Sequence, residues 1–197
     1  MTMLHEANGS FSIESTHPGL RIRLLQVSDA ERLLEIRREN FDFFKPFEPE
    51  RPEIYFTLEE QARLISIGLE AAQAGQGYTF GLFLPENDKL IGRMELSGVA
   101  RGPFQNANLG YFVDPPHHGQ GYATSAVKDV VRYAINELGL HRIQAGVMPR
   151  NTPSNRVMEK AGFRREGLAL NYLKINGVWE DHVLYALTAE NLQNGAF

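Results

Sequence analysis

The passage at residues 108–127, NLGYFVDPPHHGQGYATSAV, constrains the fold of this chain more than any other. An apolar strand runs through two prolines into a turn punctuated by Gly119 and Gly121, then passes directly into a helix. Gly119, Gly121 and Ala123 are small enough to let backbone N–H groups converge on one point. At a helix start such donors are unpaired and the dipole is positive, so the turn suits a phosphate or pyrophosphate. The plainer reading is a strand-to-helix turn without a ligand. Two common phosphate motifs do not fit: a dinucleotide fingerprint needs glycine where Thr124 stands, and a P-loop needs a lysine at the helix start, whereas the first lysine after the turn is Lys128.

The rest of the chain sets broad bounds. Its 197 residues suit one domain over residues 1–197, with 1–18 a polar leader or first edge strand. With 20 Lys+Arg against 24 Asp+Glu the net charge is -4, which offers no general attraction to nucleic acid or to an anionic membrane. There is no cysteine, so disulfides and thiolate metal sites are excluded, and no metal is expected. The N-terminus lacks a basic start followed by an apolar run, and no stretch approaches the ~18 apolar residues of a membrane span. The expectation is a soluble, cytoplasmic protein.

Periodicity orders the elements. A strand at 20–26 precedes a helix over about 29–40, opened by a capping box of Ser28 and Glu31. Residues 41–56 mix Phe41, Phe43, Phe44, Phe47, Tyr55 and Phe56 with prolines, which suits an irregular aromatic loop serving either as a plug over the core or as a substrate-facing wall. Thr57 with Glu60 opens a second helix, with Leu58, Ala62, Ile65, Leu69 and Ala72 on one face, and Gly75 and Gly77 stop it. TFGLFL, LIGRMELSGV and ANLGYFV read as three antiparallel strands. A helix over 122–138, a strand at 141–147 and a short helix capped by Thr152 before Pro153 follow. Two last strands, around 171–175 and 182–187, flank the turn Asn176-Gly177.

HGQGYA at 118–123 resembles the Gln/Arg-x-x-Gly-x-Gly/Ala acyl-coenzyme A motif of the GCN5-related N-acetyltransferase (GNAT) superfamily. NTPSNRVMEKAGF at 151–163 resembles its second motif, at the family's spacing. GYFVDPPHHGQGYAT, HRI, N-x-x-S-N and YLKINGVWEDHVLYAL are similar to the RimJ/RimL group, which acetylates N-terminal amines of ribosomal proteins. The resemblance implies an α/β fold with a central, mostly antiparallel mixed sheet splayed into a V-shaped cleft and flanked by helices. It implies acetyl-coenzyme A, with backbone amides from Gly119, Gln120, Gly121, Tyr122, Ala123 and Thr124 on the pyrophosphate. Phe112 and Val113 would pair with the pantetheine arm where a β-bulge splays the sheet, and Asn151 and Asn155 would bond the cofactor near its thioester. His118 stands where the family has Gln or Arg; either it adjusts affinity or it is an inert surface residue.

In this superfamily the amine attacks the thioester directly, so the enzyme must supply proximity, a route for the amine proton and stabilisation of the leaving thiolate. Many members carry a tyrosine where this chain has Met158. Ser154 is the candidate for binding or protonating the thiolate, or else a first-turn helix residue. The RimL-like glutamate aligns with Leu173, so Glu95, in a strand between Met94 and Leu96, is the suggested base, with Asp181 and His182 as further candidates. An α-amine of pKa about 7.7–8.0 is roughly 10–15% neutral at pH 7, against about 0.04% for lysine, so a weak base suits an α-amine acceptor. The implied function is acetyl transfer to a protein N-terminus, of a ribosomal protein by resemblance, walled by residues 41–56 and by the tail around Tyr172 and Trp179. The alternatives are a small-molecule amine (antibiotic, amino acid or polyamine) and a non-catalytic acyl-coenzyme A module; a homodimer is left open.

Overall fold

The computed structural model describes residues 11–193 and residue 195. Of the leader, residues 1–10 lie outside that range, and the remainder supplies an edge strand, β1 (Ser12–Ile13). It pairs with β2 (Arg21–Leu24), and between them Ser15 Oγ, Thr16 N–H and Thr16 Oγ1 all donate to the buried carboxylate of Asp129. A buried carboxylate with several donors is a strong local anchor, so this strap is held to the body rather than loose.

Helix α1 (Ala30–Glu39) follows β2, though the expected Ser28–Glu31 box does not form. Asp29 takes that place: its carboxylate accepts from Gln26 N–H at 2.7 Å and grips Arg23 at 2.7 and 2.8 Å. The aromatic stretch is more regular than an open loop. It contains a short helix, α2 (Phe41–Phe44), and single 3₁₀ turns at Lys45–Phe47 and Glu53–Phe56. Thr57 caps α3 (Leu58–Gln73) by accepting from Glu60 N–H, as expected, but Glu60 pairs with Arg63 instead of reaching back.

The three-strand meander is β3 (Tyr78–Leu84), β4 (Lys89–Ala100) and β5 (Asn106–Val113). Then come α4 (Tyr122–Asn136), β6 (Arg142–Val147), α5 (Thr152–Lys160), β7 (Arg164–Ile175), β8 (Val178–Thr188) and α6 (Ala189–Gln193). The last hairpin is longer than expected, and α6 was not foreseen. Asn151, not Thr152, caps α5, its side chain accepting from Ser154 N–H at 3.2 Å.

The eight strands among the described residues form one sheet in the order β1-β2-β3-β4-β5-β6-β8-β7, antiparallel except at β5–β6. Against one face α4 packs Ala126, Val127, Val130, Val131 and Ala134 on Phe80, Met94 and Leu96. On the other face, α1 and α3 set Leu33, Ile36 and Ile65 against Phe83, Leu90 and Phe112. Each buried Val, Leu, Ile, Phe or Met among these is worth about 1.5–3 kcal/mol relative to exposure, so the two clusters fix the sheet between two helical layers.

The central parallel pair determines the site. β5 and β6 pair only at Asn106↔Arg142, Ala107↔Ile143 and Asn108↔Gln144. Beyond that point β5 stays with β4 as far as Val113↔Gly92, while β6 stays with β8 as far as Val147↔Val183. The sheet therefore opens into the expected V, but not through a bulge at Phe112 and Val113, which pair regularly with Arg93 and Gly92; the two strands diverge because each follows its outer neighbour. Gly92 permits the close approach, since a Cβ there would stand 2.6 Å from the Phe112 carbonyl oxygen.

Candidate active site

The opening between β5 and β6 is a cleft of about 730 Å³. Phe112, Val113, His118, Gly119, Gly121, Tyr122, Ala123 and Thr124 line it on the side of the glycine turn. Gly119 (φ 76°) and Gly121 (φ 89°) adopt the left-handed conformation that glycine tolerates best, and Gly121 is the residue from which α4 starts. No side chain among the described residues caps α4, so its first-turn donors face the cleft with their dipole uncompensated. Gln120 is the exception on the turn: it is exposed, outside the lining, and its amide donates at 3.4 Å to the Pro116 carbonyl.

His118 is exposed, yet its ring is engaged. Its Nε2–H donates at 2.7 Å to the Val113 carbonyl, and its ring meets Phe43 edge-on at 5.4 Å. It thus ties the turn to the end of β5 and to the aromatic stretch. His117 lines the cleft with a buried Nδ1 that has no hydrogen-bond partner among the described residues, 3.7 Å from Asp114 Oδ2. Burial first, then nearby cations, outweigh Asp114 and hold the His117 pKa below its usual value.

On the β6 side Asn151, Thr152, Pro153 and Ser154 line the cleft. Ser154 Oγ lies 2.9 Å from Tyr111 Oη, and burial pushes the Tyr111 hydroxyl up to about 12, so it stays protonated at every physiological pH. Asn151 Oδ1 is already the α5 cap. Asn155 does not line the cleft. Its amide donates to the Met148 and Asn151 carbonyls at 3.1 and 2.8 Å and its oxygen accepts from Tyr185 Oη at 2.9 Å, so the side chain is engaged in holding the 148–151 loop. Met158 is fully buried in the core.

The acidic groups differ from the sequence reading. Glu95 is outside the cleft lining; its carboxylate pairs with Arg93 at 3.2 Å and is 38% exposed. Asp181 accepts from Asn171 N–H at 2.8 Å, bracing the hairpin where β7 loses register with β8. Leu173 is exposed. The single carboxylate residue among those lining the cleft is Glu48, from the aromatic stretch, and Phe43, Phe44 and Phe47 come with it. Glu48 is bonded at both oxygens by Arg37, 11 residues earlier, whose guanidinium is buried near the rings of Phe44, Tyr55 and Phe112. His182 also lines the cleft. It is buried, and its Nδ1–H donates to the Glu180 carbonyl at 2.9 Å, leaving Nε2 to carry the lone pair of the neutral ring. Tyr172 packs on His182 at 5.5 Å between ring centroids, whereas Trp179 is exposed and outside the lining.

Tyr111 and Glu48 are among the cleft residues that sequence reading overlooked. Strand alternation carried a signal for Tyr111, because Phe112 faces the α1–α3 layer and its neighbour must therefore face α5. Glu48 had none, since its place depends on Arg37 and on the β7–β8 turn, where Asn176 N–H donates to the Glu48 carbonyl at 3.0 Å.

Residues 19–164 match the family model described as an acetyltransferase (GNAT) domain, so the chain belongs to the GNAT acetyltransferase family. It is 49% identical over 166 residues to the "Probable N-acetyltransferase YjcK" of Bacillus subtilis (strain 168), covering 84% of this chain and 92% of that one. It is 38% identical over 184 residues to the [ribosomal protein uS5]-alanine N-acetyltransferase of Escherichia coli (strain K12), covering 93% and 94%. Among solved structures, Mycobacterium smegmatis RimJ in complex with CoA-disulfide superimposes with a TM-score of 0.86 at 30% identity, over 95% of this chain and 90% of that one. This protein is thus an N-acetyltransferase of the GNAT fold, with relatives that include ribosomal-protein alanine acetyltransferases.

Proposed function

We propose that the protein transfers the acetyl group of acetyl-coenzyme A to the N-terminal α-amine of a protein, with a ribosomal protein as the favoured acceptor. The observation that carries acyl transfer is the Tyr111–Ser154 hydroxyl pair standing in the cleft where β5 and β6 part. The likeness to the uS5-alanine enzyme across 93% of the chain supports the acceptor class.

The turn suits a diphosphate: its glycines hold positive φ, and the first-turn amides of α4, from Tyr122, Ala123 and Thr124, have no competing side-chain cap. Past Asn108 the β5 edge is released by β6, so Leu109 to Val113 can offer backbone groups to an extended pantetheine arm; His118 and Asn155 hold the two walls of that slot in place. Bound acetyl-coenzyme A supplies the activated acetyl group and a thiolate leaving group.

Ser154, oriented by Tyr111, donates a hydrogen bond to the departing sulfur. Full proton transfer from either hydroxyl runs uphill, because Tyr111 lies at about 12 whereas a thiol ionises near ~8.5, so the pair stabilises negative charge without giving up its proton. His182 is the group suited to take the amine proton, with its tautomer fixed by the Glu180 carbonyl. Glu95, paired with Arg93 outside the cleft, is not assigned that task.

Mixing the enzyme with acetyl-coenzyme A and a panel of peptide N-termini, free lysine and polyamines tests the reading. Coenzyme A release is expected with peptides, and no release above background with any acceptor would sink it. Ser154→Ala should lower kcat by about 10²-fold while the Kd for coenzyme A is retained. An unchanged kcat would remove Ser154 from the chemistry.

A further inference from the structure

A second cavity, of about 440 Å³, adjoins the cleft and shares two lining residues with it, Phe44 and Glu48. It lies between the aromatic stretch and the β7–β8 turn at Asn176. Arg37 reaches it from beneath, 4% exposed, and the Nε–H of that guanidinium has no hydrogen-bond partner among the described residues. A buried donor of a charged group left unsatisfied is uncommon in folded proteins, and this one lies beneath the cavity surface, out of reach of solvent.

The charge of the cavity is also uneven. Arg37 and Glu48 neutralise each other through their two-point pairing. Lys45 and Arg51 are exposed lining residues that stand over the rings of Phe41 and Tyr55 at 5.6 and 4.8 Å, and neither makes an ion pair among the described residues. Among the described lining residues, Glu50 is the one carboxylate left to face these two cations.

We propose that the second cavity is the channel in which the acceptor's chain lies behind its amine, and that it selects acidic residues near that N-terminus. The inference rests on the protein-N-terminus reading above. In this arrangement the amine stands beside Glu48, the carboxylate shared by both cavities. The acceptor chain then runs through the cavity, and an acidic side chain further along sits between Lys45 and Arg51. Because the Arg37–Glu48 pair is neutral overall, Glu48 orients the amine by hydrogen bonding without strongly raising its pKa, which keeps a useful fraction unprotonated. A polyamine would bring a second ammonium to Lys45 and Arg51 and be repelled.

Two otherwise identical peptides, carrying Glu or Lys at the third position, provide the test. With the unmodified enzyme kcat/KM should favour the Glu peptide by about fivefold, the size expected of partly screened ion pairs. The double variant Lys45→Glu/Arg51→Glu, altered only at exposed positions, should reverse the preference and leave the coenzyme A Kd unchanged. Equal kcat/KM for the two peptides, or a preference that survives charge reversal, overturns the channel while leaving N-terminal acetylation standing. Acetylation of a polyamine but of neither peptide overturns both.

Discussion

The two walls of the cleft are made of different material. The wall at the glycine turn and β5 is mostly backbone: amides at the head of α4, a released strand edge, and glycines at φ 76° and 89°. The opposite wall, around the aromatic stretch and the β7–β8 hairpin, is assembled from side chains drawn from distant segments. Arg37 holds Glu48, while Arg150 donates to the Pro46 carbonyl at 3.1 Å and pairs with Glu180 at 2.5 Å, joining three segments across the mouth. A backbone site depends on conformation and tolerates side-chain change. A side-chain wall changes specificity with single substitutions and leaves the cofactor site intact.

Substitutions that alter one wall at a time can break this contrast. The largest effect is expected at Gly121, where a β-branched residue would be forced to φ 89° at a strain cost of about 1–3 kcal/mol. Gly121→Val should therefore weaken coenzyme A binding by roughly tenfold or more, read by calorimetric titration. Wild-type affinity in that variant would mean that the turn amides do not hold the cofactor. On the other wall, Arg150 is partly exposed, so its ion pair is worth about 1 kcal/mol at most. Arg150→Ala should raise the KM for a peptide acceptor several-fold with the coenzyme A Kd unchanged. A shift in both constants would show the walls to be coupled.

The smallest effect belongs to His117, which lines the cleft beside the glycine turn. Its folded-state pKa is lowered chiefly by burial, so the unfolded chain binds the proton more readily and stability must fall as pH drops below about 6.5. The loss is complete once pH is below the folded-state value. Replacement by asparagine, His117→Asn, should flatten the change in Tm between about pH 7.5 and 5.5. An equally steep change in the variant would place the titration elsewhere.

Legibility in the sequence follows the same division. The glycine turn, the meander and α4 could be read because local rules fix them: small residues before a helix, alternation along strands, an apolar helix face. The Ser28 cap failed because Asp29 is held by Arg23, a partner in another element. Thr152 and Asn151 are both competent caps, and only the backbone geometry chooses between them. The first half of β7 was invisible because it is exposed on both faces, so no alternation marks it. Glu48 is placed at the cleft by two partners from other elements, Arg37 and Asn176, and no spacing rule encodes those.

The central claim is that the cleft acetylates an α-amine, and it is tested most directly by mass spectrometry on two peptides treated with enzyme and acetyl-coenzyme A. One has a free N-terminus and no lysine; the other has a formylated N-terminus and an internal lysine. A single acetyl group on the α-amine of the first and none on the second is the expected result. Acetylation confined to the lysine of the second peptide would contradict the account.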